Sequence, residues 1–207
     1  MMYGIIPING TWTPVLNGWT VIGATTRVAL LSSPLRDRFG LILRLEYYTS
    51  SEITQIVMRN AKLMQLPITE EAASEIAKRA RKTPRIANRI LKRARDLLQT
   101  DTFKKIDQGL VEKLWGILEL DSEGLFAEDR RYLKVLIEKF EGGPVGVETL
   151  STALSVDRQT LEEYTEPFLL QLGFIKRTPQ GRVASSKAYE HLGIKHSEAT
   201  TEQEKLV

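Results

Sequence analysis

The stretch TLEEYTEPFLLQLGFIKRTPQGRVASS, residues 160–186, decides the fold that we predict for the C-terminal part of this chain. Its first half has the apolar spacing of a helix that ends near Gly173. Two short β-forming runs then flank the turn Pro179-Gln180-Gly181, over 174–178 and 182–186. Two helical patterns precede this stretch, over 129–140 and 145–155. Three helices followed by a two-stranded hairpin are the order of a winged helix-turn-helix.

The preceding segment, residues 50–121, also predicts helices, over 51–66, 70–82, 84–100 and 107–120. Ser50-Ser51 suits a capped start of the first helix. Pro84 suits the first turn of the third helix, where its missing N–H leaves no hydrogen bond unmade. Apolar residues of the third helix form one stripe, and its arginines lie on the opposite side: Ile86, Ala87, Ile90, Leu91, Ala94, Leu97 and Leu98. The sequence from 121 to 128 predicts a connection.

The N-terminal part of the sequence carries two β signals. Apolar residues flank Asn9-Gly10, the pair that suits a type I′ turn, and predict a hairpin within residues 1–18. The run WTVIGATT, residues 19–26, predicts a strand buried on both faces, as in a parallel sheet. No convincing second strand follows before residue 174, so this strand lacks a partner in the sequence.

Composition bounds the class of protein. The 207 residues are 42% apolar and 27% charged, which is ordinary for a soluble globular protein. No apolar run is long enough for a membrane span, and no secretory signal is recognisable. With no cysteine, disulfides and thiolate zinc sites are excluded, so we predict a cytoplasmic protein without a metal site. From Lys78 to Arg95, nine residues are basic and none is acidic. This charge run predicts an anionic partner, nucleic acid or phosphate, or else a solvated helix face.

Three positions have side chains suited to nucleotide chemistry. Thr26 ends the predicted strand, where a hydroxyl is placed to contact a γ-phosphate, or simply to end the strand. Arg36 and Arg38 flank Asp37, so one arginine can reach a neighbouring subunit, or both can serve a structural pair with Asp37. Arg85 lies in the first turn of a helix, from which it can reach a bound polyphosphate.

In their order and spacing, five segments resemble the RuvB family of Holliday junction branch-migration motors, which are AAA+ ATPases: IGATTR, SPLRDRFG, TPRIANR, FEGGPVG and EPFLLQLGFIKRTPQGR. The resemblance runs from about Val21 to Gly193. It implies a mainly α chain with the remnant of an AAA+ α/β core (a hairpin plus one or two strands), a helical lid domain and a winged helix. The expected bounds are 1–45 for the partial core, 46–121 for the lid, 122–193 for the winged helix and 194–207 for a disordered tail.

The resemblance also implies roles for residues. Thr26 corresponds to the sensor of the γ-phosphate, and Arg38 to the arginine finger that acts across the subunit boundary. Arg85 corresponds to the second sensor, which contacts nucleotide in its own subunit. Duplex DNA is gripped by the winged helix, through Lys176, Arg177 and Arg182. The family further implies ATP with Mg²⁺ as cofactor, a hexameric ring, and as partners Holliday junction DNA and a RuvA-type junction-binding protein.

The sequence departs from the family pattern at several points. It contains no phosphate-binding loop GxxxxGK[ST], and no apolar strand ending in Asp-Glu that would hold Mg²⁺. The Asn9-Gly10 hairpin falls where the family docks its RuvA-type partner, but its residues match the family poorly. Lys82 stands where a glycine is usual, and Gln180 stands at an arginine-rich position of the wing, which weakens the expected grip on DNA slightly.

Three hypotheses follow. The leading one is the C-terminal portion of a RuvB-type subunit, an ATP-dependent DNA helicase of recombination and DNA repair, here unable to hydrolyse ATP by itself. The second is an ATP-independent winged-helix DNA-binding protein. Its recognition helix over 160–172 would be acidic at Glu162, Glu163 and Glu166, which is a poor surface for a major groove. The third is a non-functional fragment, with the apolar segments 19–26 and 28–31 exposed.

Overall fold

The computed structural model describes residues 20–25 and 28–195. The chain divides into two units, Met1–Glu46 and Tyr47–Val207, and each is described by itself. Among the described residues, no helix is both long and apolar enough to cross a membrane. The predicted hairpin at Asn9-Gly10, Thr26 and nearly all of the predicted tail lie outside the described residues.

The first unit contains one turn of 3₁₀ helix, Val28–Leu30, and a short helix α1, Ser33–Arg36. The predicted buried strand over 19–26 is wrong for its described part, because residues 20–25 have no strand structure and are exposed. A strand requires the backbone of a neighbouring strand, and the described residues of this unit supply none. Apolar side chains are exposed instead, with Ile22 82% and Leu30 74% accessible.

In the second unit, residues 47–121 form four helices: α2 Ser50–Leu63, α3 Glu70–Arg79, α4 Pro84–Thr100 and α5 Gln108–Leu118. The first helix begins at Ser50 as predicted, but Thr49 caps it, in a reciprocal capping box with Glu52. Small side chains on facing helices allow close packing of α2, α3 and α4, and are fully or almost fully buried: Ala61, Ala72, Ala73, Ala77 and Ala87. The predicted stripe of α4 is confirmed, since Ile86, Ala87, Ile90, Leu91 and Ala94 are buried.

Residues 122–193 form a winged helix. Its elements are α6 Ala127–Phe140, α7 Val147–Leu154, α8 Arg158–Thr160, one π-helical segment Leu161–Thr165, α9 Glu166–Gln171, β1 Ile175–Thr178, β2 Gly181–Ala184 and α10 Ser186–Leu192. The mainly α class and the predicted hairpin are confirmed. The antiparallel hairpin places Arg177 directly opposite Arg182. Val145 exchanges two backbone hydrogen bonds with Arg182, at 3.0 and 2.8 Å, and so fixes the hairpin to the segment before α7.

The connection between the lid-like helices and the winged helix is packed rather than free. Arg81, 7% exposed, has a guanidinium that forms an ion pair with the buried Asp129 of α6 and donates through Nε to the Gly124 carbonyl at 3.2 Å. The same guanidinium lies 4.7 Å from the ring centre of Phe126 and 4.3 Å from that of Phe168. Burial raises the pKa of the Asp129 carboxyl, and the charge of Arg81 opposes that rise. One buried arginine thus fastens the segment that follows α3 to the winged helix.

Candidate functional site

The arginine-finger candidate lies just after α1. Arg38 is exposed, and in the described part of the chain its side chain has no ion pair. Asp37 instead accepts a hydrogen bond from the Ser33 hydroxyl at 3.4 Å. The structural pair of Asp37 with Arg36 or Arg38, which the sequence left open, is therefore not formed between these residues.

The second-sensor candidate lies at the start of α4. Arg85 is exposed in the first helical turn, next to Pro84, and has no ion pair within the ranges described. Just before it, Arg81 and Lys82 have φ of 51° and 52°, in the left-handed region. Glycine adopts this conformation at the lowest cost, which explains why the family usually has glycine where this chain has Lys82.

The basic run from Lys78 to Arg95 is largely neutralised by acidic partners. Its members pair with three carboxylates, those of Glu75, Asp96 and Asp129. Arg79 also lies over Trp115, with its guanidinium 4.8 Å from the ring centre. Most of the run is therefore structural. Four residues are exposed and have no acidic partner among the described residues, and only these could bind an anionic partner or form a solvated helix face: Lys82, Arg85, Arg89 and Lys92.

The wing carries the three DNA-binding candidates. Lys176 and Arg177 lie on β1 and are exposed, whereas the Arg182 side chain on β2 is only 13% exposed. Both arginines donate to the carboxylate of Glu166, the first residue of α9, which is 0% exposed. The distances are 3.0 Å from Arg177 Nε to Oε2 and 2.9 Å from Arg182 Nε to Oε1. The three candidates lie on one hairpin, but both arginines form ion pairs with carboxylates of the chain itself.

A second carboxylate extends this cluster. Glu162, in the π-helical segment, accepts from Arg182 Nη2 at 2.9 Å and from Arg158 Nε at 3.0 Å. Arg158 also donates to Glu148 at 3.0 Å. Hydrogen bonding to Arg158, supported by Arg182, holds the pKa of Glu162 below its ordinary value, so this carboxyl is ionised near neutral pH.

Tyr132 completes the cluster from α6. Its hydroxyl donates to Glu166 Oε1 at 3.1 Å. Burial, together with the Glu166 charge, raises the pKa of Tyr132 above its ordinary range, so the hydroxyl keeps its proton. In the sequence, Glu162 and Glu166 stand out only as part of an acidic face that is unfavourable for DNA binding. Their spacing of four residues, which places both on one side of a helix, was the signal that they act together.

Neither a metal nor a nucleotide site is assembled by the residues that the structure describes. No group of three or more His, Asp or Glu side chains there is placed to hold a metal ion. The sequence also lacks the glycine-rich loop whose backbone N–H groups would hold the phosphates of ATP. Arg38 and Arg85 are suited to contact a polyphosphate, but these residues alone do not fit a complete ATP–Mg²⁺ site.

Three family models match consecutive segments of the chain. The model of the Holliday junction DNA helicase RuvB P-loop domain matches residues 10–45. The RuvB AAA lid domain matches residues 48–121, and the RuvB C-terminal winged helix domain matches residues 122–193.

Individual relatives agree with these matches. The Holliday junction branch migration complex subunit RuvB of Trichormus variabilis is 50% identical over 179 residues, which are 86% of this chain and 49% of the relative. That of Nitratidesulfovibrio vulgaris is 52% identical over 176 residues, 85% of this chain and 55% of the relative. The solved Thermotoga maritima RuvB Holliday junction branch migration motor is 49% identical with a TM-score of 0.75, covering 81% of this chain and 56% of that chain. The chain spans about half the length of the curated relatives it matches.

Proposed function

This chain belongs to the RuvB family of Holliday junction branch migration proteins, and from that premise we propose that it works as a subunit of an ATP-dependent DNA motor. The motor drives branch migration of four-way junctions in recombination and repair, in the cytoplasm. One observation carries this proposal: the three RuvB domain models match in their family order from residue 10 to residue 193. We assign residues 1–45 to the partial AAA+ core, 46–121 to the lid, 122–193 to the winged head and 194–207 to a tail.

The nucleotide roles are assigned to exposed cations at fixed positions. Arg38 completes the ATP site of a neighbouring subunit in a ring, where its guanidinium stabilises charge on the transferred phosphoryl group. Arg85 contacts nucleotide from the lid. It lies in the first turn of α4, directly after Pro84, and this helix start fixes its position. Thr26 is assigned to the γ-phosphate on the resemblance alone. Since the sequence has no phosphate-binding loop, the chain by itself hydrolyses no ATP, and ATP with Mg²⁺ is held by other segments.

DNA binding is assigned to the wing. Lys176 and Arg177 are exposed on β1, where they are suited to contact backbone phosphates without reading bases. Arg182 is assigned to DNA as well, although its side chain is mostly buried and pairs with Glu166. Gln180 at the exposed turn adds no charge. In the ring, the proposed partners are RuvB-type subunits that carry the phosphate-binding loop, the junction and a RuvA-type protein.

Binding of the chain to fluorescent four-way junction and duplex DNA tests this assignment. We expect duplexes of different sequence to compete equally well, because phosphate contacts are independent of sequence. Lys176→Ala is expected to weaken binding to every duplex and to reduce the slope of log affinity against log salt by about 1. The matched control is Lys134→Ala on α6, whose lysine pairs with Glu138 at 3.7 Å. Strong preference for one duplex sequence, or equal effects of the two variants, would contradict the assignment and favour an ATP-independent sequence-specific binder.

A further inference from the structure

Two cations of the wing face each other and need a shared anion. Arg177 and Arg182 are direct cross-strand partners, and like charges in that relation destabilise a hairpin. Glu166 removes the conflict because its fully buried carboxylate accepts hydrogen bonds from both guanidinium groups and from Tyr132. Because the Glu166 carboxylate is fully buried and accepts from three side chains, we assign it a structural role.

Glu162 has a different environment. Its side chain is 30% exposed and lies between two guanidinium groups from separate segments, Arg158 of α8 and Arg182 of β2. The Arg158 side chain is itself 55% exposed, so this position opens to solvent on one side. Two arginines that converge on one anion form the arrangement that binds a phosphate group, whose oxygens accept from guanidinium donors as carboxylate oxygens do.

We propose that Glu162 occupies a phosphate-binding position between Arg158 and Arg182, and that it competes there with the backbone phosphates of DNA. This inference rests on the proposed DNA-binding function of the winged head. The two wing arginines and the two carboxylates Glu162 and Glu166 sum to no net charge, so the head grips DNA less strongly than its arginines suggest. Weaker DNA binding suits a motor that moves along duplex DNA, because each phosphate contact must be released at every step.

Glu162→Gln tests the inference, with Glu163→Gln as the matched control. Both variants remove one negative charge from the same π-helical segment, but the Glu163 carboxylate accepts a hydrogen bond from the Gln159 amide at 3.1 Å, whereas that of Glu162 accepts from Arg158 and Arg182. For Glu162→Gln we expect one additional phosphate contact, which steepens the salt slope for duplex binding by about 0.9. Its affinity advantage over wild type is then about 3.5-fold larger at 50 mM than at 200 mM salt, as that slope requires. Glu163→Gln should keep the wild-type slope.

A double variant separates the new contact from a general change of charge. Arg158→Ala added to Glu162→Gln removes one side of the phosphate position and is expected to return the slope to the wild-type value. If wild type binds duplex DNA but Glu162→Gln and Glu163→Gln have equal slopes, the inference is wrong and the proposed function stands. If neither wild type nor Glu162→Gln binds DNA, both are wrong. A slope that stays steep in the double variant also overturns the inference, because Arg158 would then have no part in it.

Discussion

Asp129→Ala is expected to lower the free energy of unfolding of this chain by about 3–5 kcal/mol, because it leaves the buried Arg81 guanidinium without its counter-charge. Asp129 also accepts a hydrogen bond from the Phe126 backbone N–H at 2.7 Å, and this donor is buried as well. Arg81 retains its contact with the Gly124 carbonyl and the two aromatic rings, but none of these carries a full negative charge. Urea denaturation followed by far-ultraviolet circular dichroism measures the change.

Two further variants make this result specific. Asp96→Ala removes a half-exposed carboxylate that pairs with Arg93 and Arg95, and should lower the free energy of unfolding far less than Asp129→Ala does, because water and salt screen such a surface pair. The double variant Arg81→Met/Asp129→Leu replaces both charges by apolar side chains and should recover much of the lost stability, since a buried ion pair is often no better than a hydrophobic contact. A loss below about 1 kcal/mol in Asp129→Ala would contradict the buried pair.

Glu166→Ala is the second substitution with a large expected effect, a loss of about 3 kcal/mol in the free energy of unfolding. It leaves Arg177 and Arg182 opposite each other without the carboxylate between them, and it leaves the buried Tyr132 hydroxyl without an acceptor. The effect is smaller than for Asp129 because the Arg177 side chain is 45% exposed and can be hydrated when its partner is lost.

The control for Glu166→Ala is Glu163→Ala in the adjoining π-helical segment. Glu163 carries the same charge but is exposed, so its replacement should change the unfolding free energy by less than about 0.5 kcal/mol. Chemical denaturation of both proteins gives the comparison. Similar stabilities of the two variants would show that Glu166 does not hold the hairpin.

Local patterns predicted the elements that depend on local sequence. The buried stripe of α4 follows from the helical repeat alone, and the hairpin from its turn residues. The short helix α10, Ser186–Leu192, was not predicted, and its single buried pair, Ala188 and Tyr189, gives too little periodicity to recognise it. The strand predicted over 19–26 failed because an apolar run indicates burial but cannot supply the neighbouring strands that make burial possible.

The charged side chains were harder to interpret than the apolar ones. In the sequence, Arg81 is one of nine basic residues in a run, and its burial depends on Asp129, 48 positions later. Arg182 was predicted to contact DNA, yet its carboxylate partners lie 16 and 20 positions earlier on a helix that folds back against the wing. Pairings of this kind are fixed by the packing of the winged helix, which the charge pattern does not reveal. Contacts with nucleotide or DNA stay a prediction for all six site residues: Thr26, Arg38, Arg85, Lys176, Arg177 and Arg182.

The most direct test of the account is ATP hydrolysis by the purified chain, measured with and without four-way junction DNA. We propose that Arg38 and Arg85 act only on nucleotide that is held by segments this sequence does not contain. We therefore expect no phosphate release above that of a blank without protein, under either condition. ATP turnover by the chain alone that disappears in Arg85→Ala would contradict it, because a complete nucleotide site would then exist within these residues.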